Sequence, residues 1–390
     1  METTGFDLFQ FEQLLTDQQR ALCGQIRAYV DNIVVPNINP FWERAEYPRD
    51  IFMAIKELPI IGGTIKGYGC AGLDSLAYGL VQYELSRGDG SISTIFIVHS
   101  SLAMGTIGYL GSDEQRERWL PAMARMEKIG AFGLTEPERG SDASHLLTVA
   151  RRDGDDYILN GAKRWIGNAS FADLLIIWAR DEAGGFGGFV LENPTQLPGV
   201  TIADIPNKIG KRAVPNAHIT LENVRVPAEN RLEGCTAFKD ITKILTYSRY
   251  GVAWEAIGLA AGCFEQALKY TKERQQFDRP IASFQLVQQK LVEMAAEVSH
   301  LQFFGYHLAQ LMEADELSIG QVALAKYSAT TKARRVAQLG REVLGGNGIL
   351  LDYHVARLFT DAEAIYSYEG TADINLLIAG REITGLNAIV

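Results

Sequence analysis

One carboxylate in this chain stands out by its surroundings. In Tyr366-Ser-Tyr-Glu369-Gly370-Thr371 an acid falls just before a residue able to start a helix. Such a group can act as a general base: the helix N-terminus favours its charge, while apolar cover raises its affinity for a proton. Read alone, a Glu before Gly-Thr is more often a solvated helix-start residue. Three further segments carry residues suited to binding. Lys163-Arg-Trp165-Ile166-Gly167-Asn168 could line a flat ring, or Trp165 could simply join a core. In Phe132-Gly-Leu134-Thr135-Glu-Pro-Glu-Arg-Gly140-Ser141-Asp142 the glycines let main chain approach a ring or a phosphate; a turn before a helix cap explains them equally well. Arg274-Gln-Gln-Phe277-Asp-Arg-Pro280, with Gln285 and the later Leu344-Gly345-Gly346-Asn-Gly348, offers a cation, an aromatic and an open backbone. Read alone, Arg249 could simply be half of a surface salt bridge.

Other chemistries lack their residues. Gly67-Tyr-Gly69-Cys-Ala-Gly72 has dinucleotide-loop spacing, but that reading needs a preceding strand, and Ile51 to Leu58 reads as helix. These glycines are therefore expected only to turn the chain. There is no G-x-x-x-x-G-K-[ST], no H-E-x-x-H and no G-x-S-x-G. The six histidines are scattered; His300 and His307 could share a helix face, yet no third ligand accompanies them, so no metal site is expected.

Composition narrows the class. The 390 residues carry 37 Lys plus Arg against 47 Asp plus Glu, a net charge of −10, which argues against a nucleic-acid partner. An anionic ligand must then be held by local groups and not by the overall field. No uninterrupted 18-residue apolar run occurs, so no membrane span is expected. The four cysteines (23, 70, 235, 263) have no Cys-x-x-Cys spacing. Neither a basic, apolar leader after Met1 nor a peroxisomal address at Ala388-Ile389-Val390 is seen, so a cytoplasmic location is expected. Glycine, at 38 residues, is in excess of the usual ~7%.

The elements that must position these groups come in three blocks. Helical spacing marks Leu14 to Val35, stopped by Pro36, then Leu73 to Arg87, Ile95 to Leu110 and Glu114 to Lys128. β-prone stretches follow: 157–166 with Asn160-Gly161 as a hairpin turn, then 172–180, 188–192, 200–203 and 217–226, a compact antiparallel domain. Helices return over 241–273, 285–314, 319–344 and 372–380. Helices, strands, then helices argue for separate layers, not for βαβ units.

Together, and in their order along the chain, the four motifs resemble the acyl-CoA dehydrogenase family, which also includes acyl-CoA oxidases. The resemblance runs over essentially the whole chain. Within the family it is nearest to the glutaryl-CoA dehydrogenase branch and to related short-chain acyl-CoA oxidases. It implies an α+β multidomain fold: an N-terminal α-helical domain (1–128), a middle antiparallel β-barrel-like domain (129–240) and a C-terminal four-helix bundle carrying the catalytic base (241–390). It further implies non-covalent FAD, an acyl-CoA substrate, a homotetramer and an electron-transfer flavoprotein as partner.

By the same resemblance Glu369 is the catalytic base, and its N–H helps hold the thioester oxygen. Phe132, Leu134, Thr135, Gly140 and Ser141 would contact FAD, as would Trp165, Ile166, Gly167 and Thr371. Arg274, Phe277, Gln285, Glu342, Gly345 and Gly346 would hold its adenosine and diphosphate, across a subunit interface. Substrate would meet Ser93, Ser141, Tyr247, Arg249 and Gly370. Three positions depart from relatives. Gly167 stands where many dehydrogenases have Thr, which opens space beside the flavin and keeps an oxidase in view. Asp278 replaces a common Gly. Ser93 stands where glutaryl-CoA dehydrogenases place an arginine, and a substrate carboxylate buried there would go unpaired. The expectation is therefore dehydrogenation of a short, uncharged acyl-CoA, with electrons passing to an electron-transfer flavoprotein. An oxidase yielding peroxide and a non-catalytic binding protein are the alternatives.

Overall fold

The computed structural model describes residues 7–182 and 184–388; the termini read above, 1–6 and 389–390, lie outside them, as does Ala183. Where apolar residues recur every three to four positions, the N-terminal part is helical. In α1 (Asp17–Tyr29) a capping box fixes the start: the Thr16 hydroxyl accepts from the Gln19 N–H, and the Gln19 side chain accepts from the Thr16 N–H. Pro36 does not stop the helical path. A π-helical stretch over Val30–Val34 precedes it, and Pro36 sits in the first turn of the next segment, where its missing N–H costs no bond. α2 (Ser75–Gly88) is buried nearly all round.

α3 (Gly90–Leu110) begins earlier than the periodicity predicts, because Asp89 caps it by accepting from the Ile92 N–H. It opens into a π-helical stretch over Ile97–Ala103. This helix is long and apolar enough to cross a bilayer, yet 89% of its apolar window is buried inside the protein, so its composition is that of a core helix. α4 (Asp113–Ala124) closes the block.

The middle block is one curled sheet with strand path β1-β4-β2-β3-β7-β6, and β5 beside β4. Its strands are β1 (Gly130–Gly133), β2 (Val149–Asp153), β3 (Asp156–Gly167), β4 (Leu174–Asp181), β5 (Phe186–Glu192), β6 (Val200–Asp204) and β7 (Asn216–Pro227). It is not purely antiparallel: β1 and β2, neither predicted, both pair with β4 in parallel. β4 is buried on both faces. Its even residues (Leu174, Ile176, Trp178) join the core shared with the N-terminal helices, and its odd ones (Leu175, Ile177, Ala179) fill the inside of the sheet.

Asn160-Gly161 is not a hairpin turn. Both lie inside β3, at a bulge where pairing with β7 skips from Leu159↔Val224 to Gly161↔Leu221. The turn lies at Gly154-Asp155 instead. Asn160 pairs with Asn223 across the bulge, and a Cβ on Gly161 would meet the Thr148 hydroxyl at 2.5 Å. Glycine is there for close approach, a long-range cause that local turn statistics cannot see.

The last block packs α5 (Phe238–Glu273), α6 (Gln285–Glu313), α7 (Ile319–Val343) and α8 (Val355–Ser367) around one core, with α9 (Ala372–Thr384) against α7. α8 was not among the predicted helices. β8 (Gln275–Gln276) and β9 (Arg279–Pro280) form a small hairpin between α5 and α6. Its central residues, Phe277 and Asp278, have φ of 53° and 61°, the left-handed pair that a tight two-residue hairpin demands. Asp278 therefore serves the turn, since Asp tolerates that region better than most residues.

All four cysteines are free thiols, and burial raises their pKa: to about 12 for Cys23, Cys235 and Cys263, and to about 11 for Cys70.

α5 and α2 touch backbone to backbone. A Cβ on Gly258 would stand 2.1 Å from the Tyr83 carbonyl oxygen, and one on Gly262 2.0 Å from that of Arg87. Gly258→Ala must push the helices apart and should cost about 1–3 kcal/mol. Urea denaturation checks this; an unchanged midpoint would show that the crossing is not tight.

Candidate active site

α8 ends at Ser367, and the chain turns through Tyr368, Glu369 and Gly370 before Thr371 caps α9, its hydroxyl accepting from the Ile374 N–H at 3.2 Å. Glu369 takes φ 53°, unusual for a side-chain-bearing residue, and Gly370 φ 84°. Donors from three helices hold this turn by its carbonyls. Arg249 Nε on α5 donates to the Glu369 oxygen at 3.1 Å. Lys326 Nζ on α7 donates to the Tyr366 and Gly370 oxygens at 3.1 and 2.8 Å, and Asn375 on α9 reaches the Gly370 and Thr371 oxygens.

With its carbonyls turned inward, the turn leaves the Glu369 N–H without a protein acceptor among the described residues. The carboxylate itself is enclosed: Oε2 is buried with no hydrogen-bond partner, and Ser248 on α5 faces it. Burial raises the Glu369 pKa above the usual carboxylate value, outweighing the opposite pull of Arg249 and Lys326. Arg249 is buried, not half of a surface salt bridge.

Beside the turn lies a buried ion pair, Glu255 with Lys211, flanked by the partly buried Thr94 and Tyr368. The Glu255 carboxylate accepts from Tyr368 OH at 2.5 Å on one oxygen and from Lys211 Nζ (2.7 Å) and Thr94 Oγ1 (2.9 Å) on the other. Lys211 comes from the loop between β6 and β7 and also donates to the Gly90 carbonyl at 2.6 Å. All three blocks of the chain thus meet one residue away from Glu369.

The sheet supplies the facing wall. Trp165 is 52% exposed with φ 65°, so it is not core, while Ile166 and Gly167 behind it are buried. A side chain on Gly167 would meet Val98 Cγ2 of α3 at 3.2 Å, so the space expected there is already taken by Val98. Thr94, which contacts Tyr368 OH at 3.5 Å, is four residues before Val98. α3 therefore brings the Gly167 end of β3 and the Glu369 turn within about one helical turn, ~6 Å along its axis.

Phe132 and Leu134 are buried, and Phe132 packs edge-on to Trp178. They offer main chain only. Thr135 is partly exposed, and its hydroxyl has no protein partner among the described residues. Glu136 fixes this loop: it accepts from the Leu147 and Thr148 N–H groups and from Lys163 Nζ at 2.8 Å, and Lys163 also donates to the Leu134 carbonyl. Both side chains are buried; burial lowers the Lys163 pKa to about 8, and Lys163 in turn holds Glu136 below the usual carboxylate value against its own burial.

The remaining predicted residues divide. Gly140 and Ser141 are exposed at the far end of that loop. Tyr247 stacks on Tyr109 with ring centres 4.6 Å apart, above a cavity of about 20 Å³ lined also by Tyr78, Ser101 and Met312. Ser93 is fully buried and donates to Gln82 at 3.5 Å, with no cation on it. Arg274, Phe277, Gln285, Gly345 and Gly346 are exposed at one end of the bundle, tied together by Asn347–Tyr270 and by Lys290, which holds Glu342 at 2.8 Å. That end lies about 25 Å along α7 from Lys326, so within this chain it does not reach Glu369.

Sequence reasoning missed Lys163, Lys211, Glu255, Lys326 and Asn375 as working parts. Lys326 had a signal, a lysine among the apolar positions of Val322-Ala-Leu-Ala-Lys-Tyr. His99 is a core histidine: its Nδ1 accepts from the Gly130 N–H, its Nε2–H faces the Met123 carbonyl, and burial lowers its pKa to about 4. His300 and His307 are exposed.

An exposed aromatic face, an unpaired hydroxyl and an unpaired main-chain N–H on converging walls fit a flat group rimmed with heteroatoms, such as a flavin. A buried carboxylate with a free oxygen beside them is placed to take a proton from whatever lies between.

The chain is similar to several known proteins along nearly its whole length. Family models described as acyl-CoA dehydrogenase N-terminal, middle and C-terminal domains match residues 16–127, 131–224 and 238–384. A 3-(aryl)acrylate reductase of Clostridium sporogenes is 34% identical, over 94% of this chain and 99% of its own. A short-chain-specific acyl-CoA dehydrogenase of Clostridium acetobutylicum is 32% identical, over 95% and 98%. Two structures of glutaryl-CoA dehydrogenase from Mycobacterium smegmatis, one in complex with FADH2, superpose with TM-scores of 0.95. Their identities are 40% and 36%, covering 98% of this chain and 99% and 98% of theirs. A structure described as an electron-transferring flavoprotein of Acidaminococcus fermentans matches at 31% identity and TM-score 0.90, over 95% and 98%.

Lys163→Met should cost about 3–5 kcal/mol, because it strands the Glu136 charge in the interior. Adding Glu136→Gln should restore part of that loss. Strictly additive losses in a double-mutant denaturation cycle would show the pair to be uncoupled.

Proposed function

The chain belongs to the acyl-CoA dehydrogenase family, and from that premise we propose that it converts a short, uncharged acyl-CoA thioester to the trans-2-enoyl-CoA. The observation that carries this reading is Glu369: a buried carboxylate with one unpartnered oxygen, on a turn whose N–H is free. Members of the family use FAD, which when bound supplies the acceptor for the substrate's β-hydride. Trp165, the Thr135 hydroxyl and the backbone of Phe132 to Thr135 are the groups that would hold its ring.

Glu369 takes the α-proton. An α-C–H beside a thioester is weakly acidic, so the negative charge that develops on the thioester oxygen needs a fixed donor, and the Glu369 N–H is one. Desolvation of Glu369 strengthens it as a base towards an apolar substrate, and the carbonyl clamps of Arg249, Lys326 and Asn375 keep the N–H aimed outward.

The preference for an uncharged acyl chain rests on Ser93. It is neutral and faces Gln82, and nearby Thr94 already serves the Glu255 carboxylate, so a second anion would be unpaired. An electron-transfer flavoprotein is the proposed acceptor, supported by the likeness to the Acidaminococcus structure described as an electron-transferring flavoprotein. Val98, packed against Gly167, argues for a dehydrogenase over an oxidase. A homotetramer is proposed because Arg274, Phe277, Gln285 and Gly345 are exposed and distant from Glu369, so a second copy would bring them to the cofactor. A cytoplasmic location is proposed on the four free thiols.

Glu369→Gln should keep FAD and acyl-CoA binding and lower flavin bleaching by about 10²–10⁴-fold. Near-wild-type bleaching would place the base elsewhere. Since the Glu369 pKa is raised, the bleaching rate should fall as pH drops through a value above the ordinary ~4.3 of a glutamate. An acid limb at or below that value would contradict the burial argument. Butyryl-CoA should bleach the flavin faster than glutaryl-CoA, with little peroxide in air. Faster reaction with glutaryl-CoA would overturn the substrate assignment, and near-stoichiometric peroxide would overturn the acceptor.

A further inference from the structure

Lys326 has no role in the reaction as derived above beyond its grip on the turn, yet its position is costly. Its side chain is fully buried, and among the described residues it has no carboxylate within ion-pair distance; its hydrogen bonds run to the carbonyls of Tyr366 and Gly370. These two carbonyls bracket Glu369. An ammonium held so, without a direct counter-ion, is retained at a free-energy cost and needs a reason.

We propose that Lys326 is a positioning residue for the base: its two hydrogen bonds set the left-handed turn that aims Glu369, and its charge adds a titratable cation to the permanent one of Arg249 in favouring the ionised Glu369. This deepens the reading of Glu369 as the base. The neighbours share this work only in part: Asn375 also holds the Gly370 carbonyl and Arg249 also bears charge near Glu369, but neither reaches the Tyr366 carbonyl. Arg249 donates to the Glu369 carbonyl only, and Asn375 is neutral. The charged groups facing Lys326 are Glu369 from the turn and Arg249 and Glu255 from α5. Glu255 is committed to Lys211 and Tyr368, and α6 sends Glu297 and Glu293 to Lys332 and Arg335 further along α7. α9 contributes Asn375, and α8 ends in the turn itself. Glu369 is thus the carboxylate left to balance Lys326.

The geometry also makes Lys326 sensitive to pH. Burial lowers its pKa to about 7, against which the Glu369 charge pulls upward. As pH rises through that value the cation is lost, and with it a stabilising influence on the Glu369 carboxylate; below it, Lys326 is charged and holds the Glu369 proton affinity down. The two sites therefore titrate as a coupled pair.

The test uses the holoenzyme with Lys326→Met and Lys326→Gln, both checked for flavin content and thermal unfolding. Two readouts are needed. The first is the pH profile of anaerobic flavin bleaching by butyryl-CoA. The second, independent of turnover, is an infrared titration of the Glu369 carboxyl in substrate-free enzyme, with its band identified by subtraction of Glu369→Gln. In Lys326→Met the bleaching rate at pH 7 should fall tenfold or more, with acyl-CoA affinity within threefold. The infrared midpoint of Glu369 should move up by about one pH unit or more. Lys326→Gln, able to donate to a carbonyl but uncharged, should show the same midpoint shift with a smaller loss of rate. In the unmodified enzyme the Glu369 band should follow a two-site curve. A flavin-replete variant with an unmoved Glu369 midpoint overturns the proposal, as does a single-site curve in the unmodified enzyme. Because the infrared midpoint needs no substrate, it judges Lys326 even if Glu369→Gln proves that the base lies elsewhere.

Discussion

The buried Glu255 carboxylate is the point on which the rest of this architecture turns. It draws a hydroxyl from the N-terminal helices, an ammonium from the β-domain and a phenol from the base-bearing turn into one largely buried cluster. Each partner is needed by the others. Removing Lys211 would leave Glu255 charged and uncompensated, whereas removing Glu255 would leave Lys211 with only the Gly90 carbonyl and Tyr368 with a weaker partner in Thr94. Buried pairs of this kind contribute modestly to net stability, because desolvation offsets the attraction, but they penalise any other arrangement heavily. Here the alternative arrangements are those in which the three blocks slide past one another, so the cluster specifies their relative placement.

That placement sets the site. With α3 as the common spacer, Val98 fixes where the Gly167 end of the sheet stops and Thr94 fixes where Tyr368 stops. The catalytic turn needs such support because its own backbone is not at rest: Glu369 occupies a left-handed conformation that costs a side-chain-bearing residue roughly 1–2 kcal/mol. Carbonyl clamps from Arg249, Lys326 and Asn375 hold it there, and the same clamps leave the outward N–H unspent.

Much of this was legible in the sequence, and the boundary is physically defined. Glu369, Arg249 and the Trp165 segment could be read because ordered short motifs carry them, and the long helices because 3.6-residue periodicity survives tertiary context. What escaped depends on contacts far apart in the chain. Asn160-Gly161 has the composition of a turn, but its glycine answers to Thr148. Gly167 suggested open space, which Val98 fills. Lys211 and Glu255 stand in no motif, and Lys326 is marked only by its apolar neighbours. Nothing local shows that a lysine on one helix and a carbonyl two elements later share an interior. The acidic balance of the chain was informative in a negative sense only, since the site depends on a few buried cations and backbone groups and not on the net field.

The four protonated thiols carry a consequence of another kind. Cys23 and Cys70 lie in the N-terminal block, Cys235 in the connection from sheet to bundle, and Cys263 inside α5 where a Cβ on Gly340 would meet its sulfur at 2.7 Å. Burial raises the pKa of all four thiols, and Cys235 and Cys263 are buried outright, so alkylating reagents should reach those two only when a block opens. The chain thus carries a native strain gauge. The order in which its cysteines become alkylated would report the order in which its parts come undone, without any label being introduced.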